Sequence, residues 1–262
     1  MGVVTSVDND AVKAARKLAR RQDRDRTGTF LVEGPQGVGA ALGCLRRLFV
    51  TDPEGDLARR AAAAGAEVVA VSDRVLASVA DTVTPQGMVG VAALPAPTLD
   101  DALAGAVLVV VCWQVADPGN VGTVVRSADA AGADAVVCTT GSVDPRNPKA
   151  VRASAGSLFH LPVVADAPPA AVVAACRRHG LRIVAADAGG ATVYTAVDLT
   201  RPTAVLLGNE AHGLPADALA CADVVAAIPI RGRAESLNLA VTAALLVFEA
   251  ARQRSPAPRV PA

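Results

Sequence analysis

The chain has 262 residues and a formal net charge of zero, with 25 basic and 25 acidic side chains. Hydrophobic residues make up 52% of the chain and aromatic residues only 2%, so the core must be built mainly from Ala, Val and Leu. No apolar run reaches the roughly 18 residues of a transmembrane helix, and the N-terminal sequence has no apolar signal-peptide segment, so we expect a cytoplasmic protein without a membrane partner.

The first half of the sequence alternates between helical and strand patterns, beginning with a polar helix near 10–25. Strands are predicted at 29–33, 46–50, 66–71 and 88–93, and the helices between them at 36–43, 54–64 and 73–80. This alternation predicts a small α/β sandwich domain over residues 1–93. The proline-rich stretch at 94–101 is typical of an extended linker.

The second half alternates in the same way, but its strands are richer in valine. Strands are predicted at 107–112, 134–139, 181–186, 203–208 and 223–230, and helices near 118–131, 147–156, 168–179 and 235–251. Continuous apolar runs of this kind are typical of strands that are buried on both faces, as in a parallel sheet. We therefore predict a second α/β domain over 102–254, followed by a disordered tail at 255–262.

The first helix has the most uneven charge distribution in the sequence. Residues 13–26 carry seven basic side chains and two aspartates, which gives a local net charge of +5. Five of the basic residues have helical spacing and would share one face, namely Lys13, Arg16, Lys17, Arg20 and Arg24. Such a stripe can neutralise nucleic-acid phosphates, although a solvated helix surface has the same composition.

The cysteines and histidines do not indicate a metal site. The five cysteines are dispersed along the chain, and the three histidines have no His-x-x-x-His spacing. This pattern favours reduced, buried thiols over a disulfide framework or a zinc centre, so we expect no metal.

Polar side chains follow three of the predicted strands in the second half. In a parallel α/β sheet, ligands bind beyond the carboxyl ends of the strands. The polar residues at these strand ends are Asn120, Arg126, Glu210, Ser236 and Asn238. Each of them alone is compatible with an ordinary turn or helix cap, but together they predict one polar pocket.

Several familiar motifs are absent from the sequence. No Gly-x-Gly-x-x-Gly follows a strand in the second half, and the chain has neither a P-loop nor a Gly-x-Ser-x-Gly elbow. A standard dinucleotide-binding domain, a P-loop nucleotide enzyme and an α/β-hydrolase are therefore disfavoured.

Three stretches of the second half resemble the three motifs of the SpoU (TrmH) family of RNA ribose 2′-O-methyltransferases, which belongs to the SPOUT superfamily. They are DPGNVGTVVRSADAAGA, LLGNEAHGLP and IPIRGRAESLNLAVTAALLVFE, and they occur in the order and spacing of the family. In the first half, FLVEGPQGVGAAL and VTPQGMVGVA resemble parts of the ribosomal-protein-like RNA-binding domain of the family.

The resemblance implies the architecture of the protein and its cofactor. It implies a C-terminal parallel-sheet methyltransferase domain with a trefoil knot, preceded by an RNA-binding domain. It also implies a homodimer whose active site contains residues from both subunits, and S-adenosylmethionine bound within the knot. The residues that match or adjoin the cofactor positions are Thr139, Gly141, Leu207, Gly208, Asn209, Ile228, Ile230 and Leu237.

The resemblance further implies catalytic roles for the polar residues at the strand ends. Arg126 matches the essential arginine of the family. Because arginine stays protonated, we expect it to stabilise the developing alkoxide and to hold the neighbouring phosphate, not to act as a base. Asn120, Ser236 and Asn238 would orient Arg126 and the ribose hydroxyl. Glu210 would pair with an arginine or hold the knot loop.

Two positions depart from the family pattern. Ala211 replaces the usual glycine of the second motif, and Leu239-Ala240 stands where Val-Ser is common. If residue 211 required a positive φ, alanine there would cost about 1 kcal/mol or more. Neither departure removes a polar group that is assigned to catalysis.

The predicted function is 2′-O-methylation of a ribose in structured RNA, with 23S ribosomal RNA favoured by the accessory domain. RNA contacts are expected from Arg126, from the basic face of the first helix, and from Glu33 in the FLVEGPQ stretch. Three alternatives stay open: a transfer RNA methyltransferase, an enzyme that confers antibiotic resistance, and a catalytically silent RNA-binding or ribosome-assembly protein. A silent protein would be expected to lose polar site residues, all of which are present.

Overall fold

The computed structural model describes residues 2–94 and 96–254, which form two compact units. The first unit comprises Met1–Pro95 together with Arg146–His160, and the second comprises Ala96–Pro145 together with Leu161–Ala262. The sequence pattern placed the segment 146–160 in the second domain, so the finding that the first unit is discontinuous in sequence corrects that prediction. The predicted disordered tail at 255–262 lies outside the described residues.

Helices and strands alternate along both units. The helices are α1 Asp10–Lys17, α2 Arg21–Thr27, α3 Gly34–Ala40, α4 Asp56–Ala63, α5 Asp73–Val79, α6 Leu99–Leu103, α7 Pro118–Ala130, α8 Pro148–Ala153, α9 Pro169–Arg178, α10 Ala216–Ala220 and α11 Leu239–Arg254. The strands are β1 Phe30–Glu33, β2 Leu45–Val50, β3 Glu67–Ala70, β4 Met88–Ala92, β5 Leu108–Cys112, β6 Ala135–Thr139, β7 Val163–Ala167, β8 Arg182–Ala186, β9 Thr192–Val193, β10 Thr203–Leu207 and β11 Val224–Ala227. Short 3₁₀ helices occur at Leu42–Cys44, Ser157–Phe159 and Tyr194–Ala196.

The sheet of the first unit has the order β1-β4-β2-β3. Strand β4 runs antiparallel to β1 and β2, whereas β2 and β3 are parallel. Helices α1 and α5 pack on this sheet around Val12, Phe49 and Val75, all of which are fully buried. The predicted α/β sandwich is therefore present, with α8 added to it from the later segment 146–160.

The basic helix predicted near 10–25 is two helices, because the chain breaks after α1. Arg24 in α2 is only 2% exposed, and its Nη1 donates to the carbonyl oxygens of Leu18 and Ala19 at 3.0 and 2.9 Å. These carbonyls lie just beyond α1, where the backbone has no helical partners. Assigning Arg24 to RNA binding was wrong, since its guanidinium closes the turn between the two helices.

Glu33 is also committed to the structure of the first unit, and assigning it to RNA binding was wrong. Its side chain is 6% exposed and accepts hydrogen bonds from the backbone N–H of Asp81 and from the N–H and hydroxyl of Thr82. Arg152 of α8 forms an ion pair with Glu33 at 3.3 Å and another with Asp81 at 2.7 Å. We call Glu33, Asp81, Thr82 and Arg152 the Glu33 cluster.

The sheet of the second unit has the order β7-β6-β5-β10-β8-β11-β9, and all its neighbouring strands are parallel. The prediction of a parallel sheet is therefore confirmed. Val110 and Val205 face the side covered by α7 and α11, whereas Val109 and Leu206 face the side of α6 and α9. Burial on both faces explains why these strands are continuous apolar runs.

Several element boundaries in the second unit differ from the prediction. The linker is shorter than 94–101 because α6 begins at Leu99, with Thr98 accepting a hydrogen bond from the N–H of Asp101 as its cap. Strands β7 and β9 were not predicted, since β9 has only two residues and β7 contains Asp166 with a φ of 58°. None of the described helices is both long enough and apolar enough to span a bilayer.

Candidate active site at the carboxyl edge of the second sheet

The first motif starts helix α7 at the end of β5. The Asp117 side chain caps this helix by accepting from the N–H of Asn120 at 2.9 Å, and Pro118 occupies its first turn. A carboxylate cap and an N-terminal proline are both favourable at a helix start. The local sequence therefore fixes Asn120 in the first turn of α7, beside the edge of the sheet.

The second motif forms a closed loop after β10. Asn209 and Gly213 exchange backbone hydrogen bonds of 3.0 and 2.8 Å, and the Asn209 side chain accepts from the N–H of Ala211 at 2.9 Å. A Cβ atom at Gly208 would lie 2.3 Å from the carbonyl carbon of Gly213, so the loop can close only with glycine there. This loop presents Glu210 towards α7.

The alanine at position 211 is compatible with this loop. Among the described residues, the non-glycine residues with positive φ are Gln114, Ala155 and Asp166. Ala211 therefore lies outside the left-handed region, so alanine at this position carries no backbone strain from a positive φ.

Glu210 joins the second motif to the start of α7. Its two carboxylate oxygens accept from the backbone N–H groups of Ala116 and Asp117, both at 3.0 Å, and Oε1 also accepts from Asn120 Nδ2 at 2.9 Å. Burial opposes ionisation, but these hydrogen bonds outweigh it and lower the pKa of Glu210 below its ordinary value. Glu210 is therefore a carboxylate at neutral pH.

The ionised state of Glu210 fixes the orientation of two amides. A carboxylate can only accept, so Asn120 must present its Nδ2 to Glu210 and its Oδ1 to Asn238. Asn238 Nδ2 donates to that oxygen at 3.0 Å, and Asn238 Oδ1 accepts from the N–H of Ala240 at 2.9 Å. We call Glu210, Asn120 and Asn238 the carboxylate–amide relay; it joins all three motifs. Because Asn238 caps α11, this helix begins at Leu239 and not near 235 as predicted.

The relay forms one wall of a cavity of about 620 Å³ in the second unit. Its lining consists of residues from the carboxyl ends of β8, β10 and β11, from the segments that follow them, and from the first turn of α7. The predicted site residues among them are Asn120, Leu207, Gly208, Asn209, Glu210, Ile228, Ile230, Ser236, Leu237 and Asn238. The structure thus brings together most of the residues that were predicted to form the pocket.

Arg126 does not line this cavity. It is exposed on α7, six residues beyond Asn120. Six residues correspond to about 600° of rotation on an α-helix, so the two side chains lie on different faces. No residue among 2–94 and 96–254 forms a hydrogen bond or ion pair with the guanidinium of Arg126.

Thr139 and Gly141 also lie outside the cavity lining, contrary to expectation. Thr139 is fully buried, and its hydroxyl accepts from the N–H of Gln114 at 3.0 Å. Gly141 has a φ of 92° and lies against the Gln114 side chain, where a Cβ would be 3.2 Å from Gln114 Cγ. Both residues support the turn at Gln114, whose carbonyl accepts from Asn209 Nδ2 at 2.7 Å.

Sequence reasoning missed the charged residues Asp187 and Glu235 and the hydroxyl residue Thr242, all of which line the cavity. Asp187 directly follows β8, so the rule that ligands bind beyond carboxyl strand ends could have identified it. Glu235 was passed over because it stands beside Ser236, which already matched the third motif. Thr242 gave no signal, since it lies in an apolar helix.

Two family models match the chain. The SpoU rRNA Methylase family matches residues 107–248, and the MRM3-like substrate binding domain matches residues 9–90. The first match contains all three motifs of the cavity, and the second falls within the first unit.

Several relatives match the chain over nearly its whole length. The chain is 35% identical to the 23S rRNA (guanosine(2553)-2′-O)-methyltransferase RlmP of Bacillus subtilis, over 95% of this chain and 98% of that protein. It is 34% identical to the 23S rRNA (uridine(2479)-2′-O)-methyltransferase of Streptomyces viridochromogenes, over 90% of this chain and 87% of that protein. The AdoMet-bound rRNA methyltransferase of Sinorhizobium meliloti superposes with a TM-score of 0.86 at 34% identity, covering 96% of this chain and 97% of that one.

The fold and the cavity together are those of a SPOUT methyltransferase with an N-terminal domain. More particularly, the chain belongs to the SpoU rRNA methylase family, and the predicted resemblance is confirmed. It is accordingly an S-adenosylmethionine-dependent RNA 2′-O-methyltransferase.

Proposed function

We propose that this protein methylates the 2′-hydroxyl of one ribose in 23S ribosomal RNA. The observation that carries the proposal is the carboxylate–amide relay, which joins the three motifs at one edge of a ligand-sized cavity. The relatives from Bacillus subtilis and Streptomyces viridochromogenes, which match 95% and 90% of this chain, are both named as 23S rRNA methyltransferases, and their names give different nucleosides. A ribosomal substrate also favours a cytoplasmic location.

The residues of the cavity fit the proposed cofactor. The cavity volume of about 620 Å³ lies within the usual range for small-molecule sites. The lining combines apolar side chains such as Leu207 and Ile228 with the Gly208 backbone and with carboxylates, which suit a cationic ligand. When bound there, S-adenosylmethionine supplies an electrophilic methyl group. We propose that Leu207, Gly208, Asn209, Ile228, Ile230 and Leu237 hold it, mainly through backbone groups.

The polar residues would position the ribose and stabilise its developing charge. Asn120 and Asn238 have their amides fixed by Glu210, so they do not reorganise when the substrate arrives. Ser236 lies in the same lining with an exposed side chain, and we assign it to the orientation of the reacting hydroxyl. Alignment of the hydroxyl with the methyl donor supplies most of the acceleration in such a transfer.

We propose that Arg126 acts in the cavity of a second subunit. It is exposed on α7 and is free of intramolecular partners among the described residues. Helix α7 packs on α11, which exposes Val241 and Phe248 by 48% and 49%. Exposed apolar side chains on a helix of this core favour burial against a second copy of the chain. The homodimer would then supply Arg126 as the cation that stabilises the alkoxide.

We further propose that the C-terminal part of the second unit is threaded as a trefoil knot. Strand β10 is inserted between β5 and β8, and α11 packs back on β5 and α7, which lie early in the chain of this unit. Stretching the chain from its ends in an optical trap tests the knot. A tightened knot makes the unfolded chain shorter than its contour length, whereas an unknotted chain extends fully.

The first unit would bind the RNA around the target. Lys13, Arg16, Lys17 and Arg20 are exposed on and after α1, which supports their assignment to phosphate contacts. The family match to a substrate binding domain points to the same role.

Mapping of 2′-O-methyl groups in cells with and without the gene tests the proposed function. We expect one ribose of 23S rRNA to lose its methyl group in the deletion strain and to regain it on complementation. The purified protein should methylate 23S rRNA from that strain and not from the parent. A methyl group missing from transfer RNA alone would contradict the ribosomal assignment. An unchanged map for both RNAs would contradict the enzyme's proposed target altogether.

A further inference from the structure

The lining of the cavity has an unusual charge composition. It contains three carboxylates, those of Asp187, Glu210 and Glu235, and none of the described lining residues is Lys, Arg or His. Elsewhere in the second unit, acidic residues form ion pairs with arginines, such as Asp223 with Arg177 at 2.7 Å. The negative charge of the cavity is therefore not offset within its own lining.

The three carboxylates differ in the hydrogen bonds and ion pairs that they form. Glu210 accepts from two backbone N–H groups and from Asn120, so its charge is engaged in the relay. Asp187 accepts from the N–H of Gly189 at 2.8 Å through Oδ1, and it forms no ion pair with any described residue. Glu235 is exposed and also lacks an ion-pair partner in the part of the chain that the structure describes.

The backbone around Asp187 holds its carboxylate in place. The N–H of Asp187 donates to Ala226 O at 3.0 Å, and Gly190 N–H donates to Asp187 O at 3.1 Å. Gly190 is pressed against β11, because a Cβ there would lie 2.8 Å from the carbonyl carbon of Ala226. Asp187 Oδ2 lies 3.8 Å from the position of a Cβ on Gly213, across from the loop of the second motif. The carboxylate is thus preorganised between two segments of the lining.

We propose that Asp187 and Glu235 make the cavity selective for a cationic methyl donor over its neutral product. This inference rests on the proposed cofactor site. The sulfur of S-adenosylmethionine is a positively charged sulfonium, and the same atom in S-adenosylhomocysteine is a neutral thioether. A cleft with low-dielectric walls and charge of one sign concentrates ligands of the opposite sign. The lining therefore favours donor binding before transfer and product release after it.

The proposal also predicts what these carboxylates do not do. Positive charge on the sulfur decreases as the methyl group leaves, so a carboxylate that stabilises the bound donor does not stabilise the transition state more. Removing the charge of Asp187 should therefore raise the KM for the donor by a larger factor than it lowers kcat. This behaviour distinguishes Asp187 from the residues of the relay, whose removal should slow the transfer step itself.

The test compares three ligands by titration calorimetry with the full chain. They are S-adenosylmethionine, S-adenosylhomocysteine and sinefungin, in which an amine cation replaces the methylated sulfonium. In Asp187→Asn, affinity for the two cations should fall about tenfold relative to the thioether. In Glu235→Gln the decrease should be smaller, about threefold, because the group is exposed. Asn at 187 can keep the hydrogen bond to Gly189, so the turn should persist.

Asp217→Asn is the matched control, since Asp217 is an exposed acidic residue in α10 outside the cavity lining. It should leave all three affinities unchanged. High ionic strength should weaken the preference of the wild type for the cations. It should leave the relative affinities of a chain that combines Asp187→Asn with Glu235→Gln unchanged.

Three outcomes would overturn the inference. Equal decreases for all three ligands in Asp187→Asn would assign Asp187 to a part that the ligands share, such as the ribose. Unchanged relative affinities in both variants would remove the electrostatic role. A wild-type protein that binds the thioether as tightly as the cations would contradict the selectivity itself. Since no RNA is present, failure here is separate from failure of the proposed rRNA target, which only the methylation map tests.

Discussion

Two glutamates stand at the ends of apolar strands, one in each unit, and they are held in the same way. Glu33 is the last residue of β1 and accepts from two consecutive backbone N–H groups and one side-chain hydroxyl. Glu210 follows β10 and accepts from two consecutive N–H groups and one amide. The two carboxylates differ in their remaining contacts. Glu33 is closed off by the ion pair with Arg152, whereas Glu210 leads through Asn120 and Asn238 into a cavity.

The same contrast holds for arginine. Arg152 is paired with two carboxylates of the Glu33 cluster, and Arg126 has no partner among the described residues. A polar group whose hydrogen-bonding capacity is used up within its unit stabilises the fold. A polar group left open at a strand end or helix surface is available to a ligand or a second subunit.

The largest effect is expected for the two arginines. Arg126→Ala should lower the rate of methyl transfer by about 100- to 1,000-fold, because it removes the charge that stabilises the alkoxide. Binding of S-adenosylhomocysteine should stay within about twofold of wild type, since Arg126 is assigned to the RNA alkoxide and phosphate and not to the cofactor.

Arg152→Ala is the counterpart for that measurement. It should lower Tm and leave the transfer rate per folded molecule unchanged, because Arg152 belongs to the Glu33 cluster. Near-normal transfer by Arg126→Ala would contradict its assigned role. Mixing Arg126→Ala with an inactive Asn238→Ala chain should restore part of the activity if Arg126 acts across subunits.

Replacing the two glutamates should likewise affect different properties, the transfer rate for Glu210 and the stability for Glu33. Glu210→Gln introduces an amide that cannot accept at every position where the carboxylate accepts, so the orientation of Asn120 and Asn238 is no longer fixed. We expect a decrease of about 100-fold in single-turnover rate, as for other misplacements near reacting atoms.

Glu33→Gln should instead lower the free energy of unfolding by about 1–3 kcal/mol, because it leaves buried hydrogen-bonding groups unmatched. Urea denaturation measures this decrease, and radiolabelled methyl transfer should show an unchanged rate. If Glu33→Gln slowed transfer as much as Glu210→Gln does, the distinction between the two strand ends would be wrong.

A smaller difference is expected within the basic N-terminal segment. Arg16→Ala combined with Arg20→Ala should weaken RNA binding at low salt and reduce the slope of log Kd against log salt by about one for each phosphate that is no longer neutralised. Arg24→Ala should chiefly lower Tm, because its guanidinium satisfies the carbonyls of Leu18 and Ala19. Fluorescence anisotropy with an RNA fragment, next to thermal melts, distinguishes the two outcomes.

The smallest effect concerns pH. The hydrogen bonds of Glu210 lower its pKa in the folded protein, so its contribution to stability is present at neutral pH and above the ordinary carboxyl value of about 4.3. It should vanish as the pH falls through the lower, folded-state pKa. Because Glu210 is exposed, its replacement in Glu210→Gln should lower the free energy of unfolding by less than about 1 kcal/mol at neutral pH. The resulting difference in Tm between wild type and Glu210→Gln should therefore disappear in acid. A difference that persisted at pH values well below the folded-state pKa would contradict this linkage.

Much of the fold could be predicted because its strands follow a simple rule. Strands buried on both faces are continuous apolar runs, and β5, β6, β8 and β10 were located within a residue or two of their ends. The edge strand β9 was missed because it has only two residues, and β7 was missed because the exposed Asp166 interrupts its apolar run. The break between α1 and α2 was missed because it depends on a side chain that folds back on the preceding turn.

The candidate site could be predicted in outline and not in its boundary. Motif order identified the residues of the relay and the loop at Gly208, whose steric requirement is local. Thr139 and Gly141 lie at the same edge of the sheet, yet they support Gln114 and do not line the cavity. No sequence pattern distinguishes these two positions from positions that line the cavity. Asp187 was missed because it follows β8, and β8 is not followed by any of the three motifs.

The segment 146–160 makes the two units inseparable as pieces of chain. It lies between β6 and β7 of the second unit, yet it places the Arg152 ion pair and the Phe159 ring, stacked at 6.0 Å on Phe30, within the first. A fragment that ends at the linker would lack this complement and expose the ring of Phe30. The accessory region therefore cannot be transplanted as a simple N-terminal module. Any exchange between relatives that keeps both halves folded must carry a matching stretch from the middle of the chain.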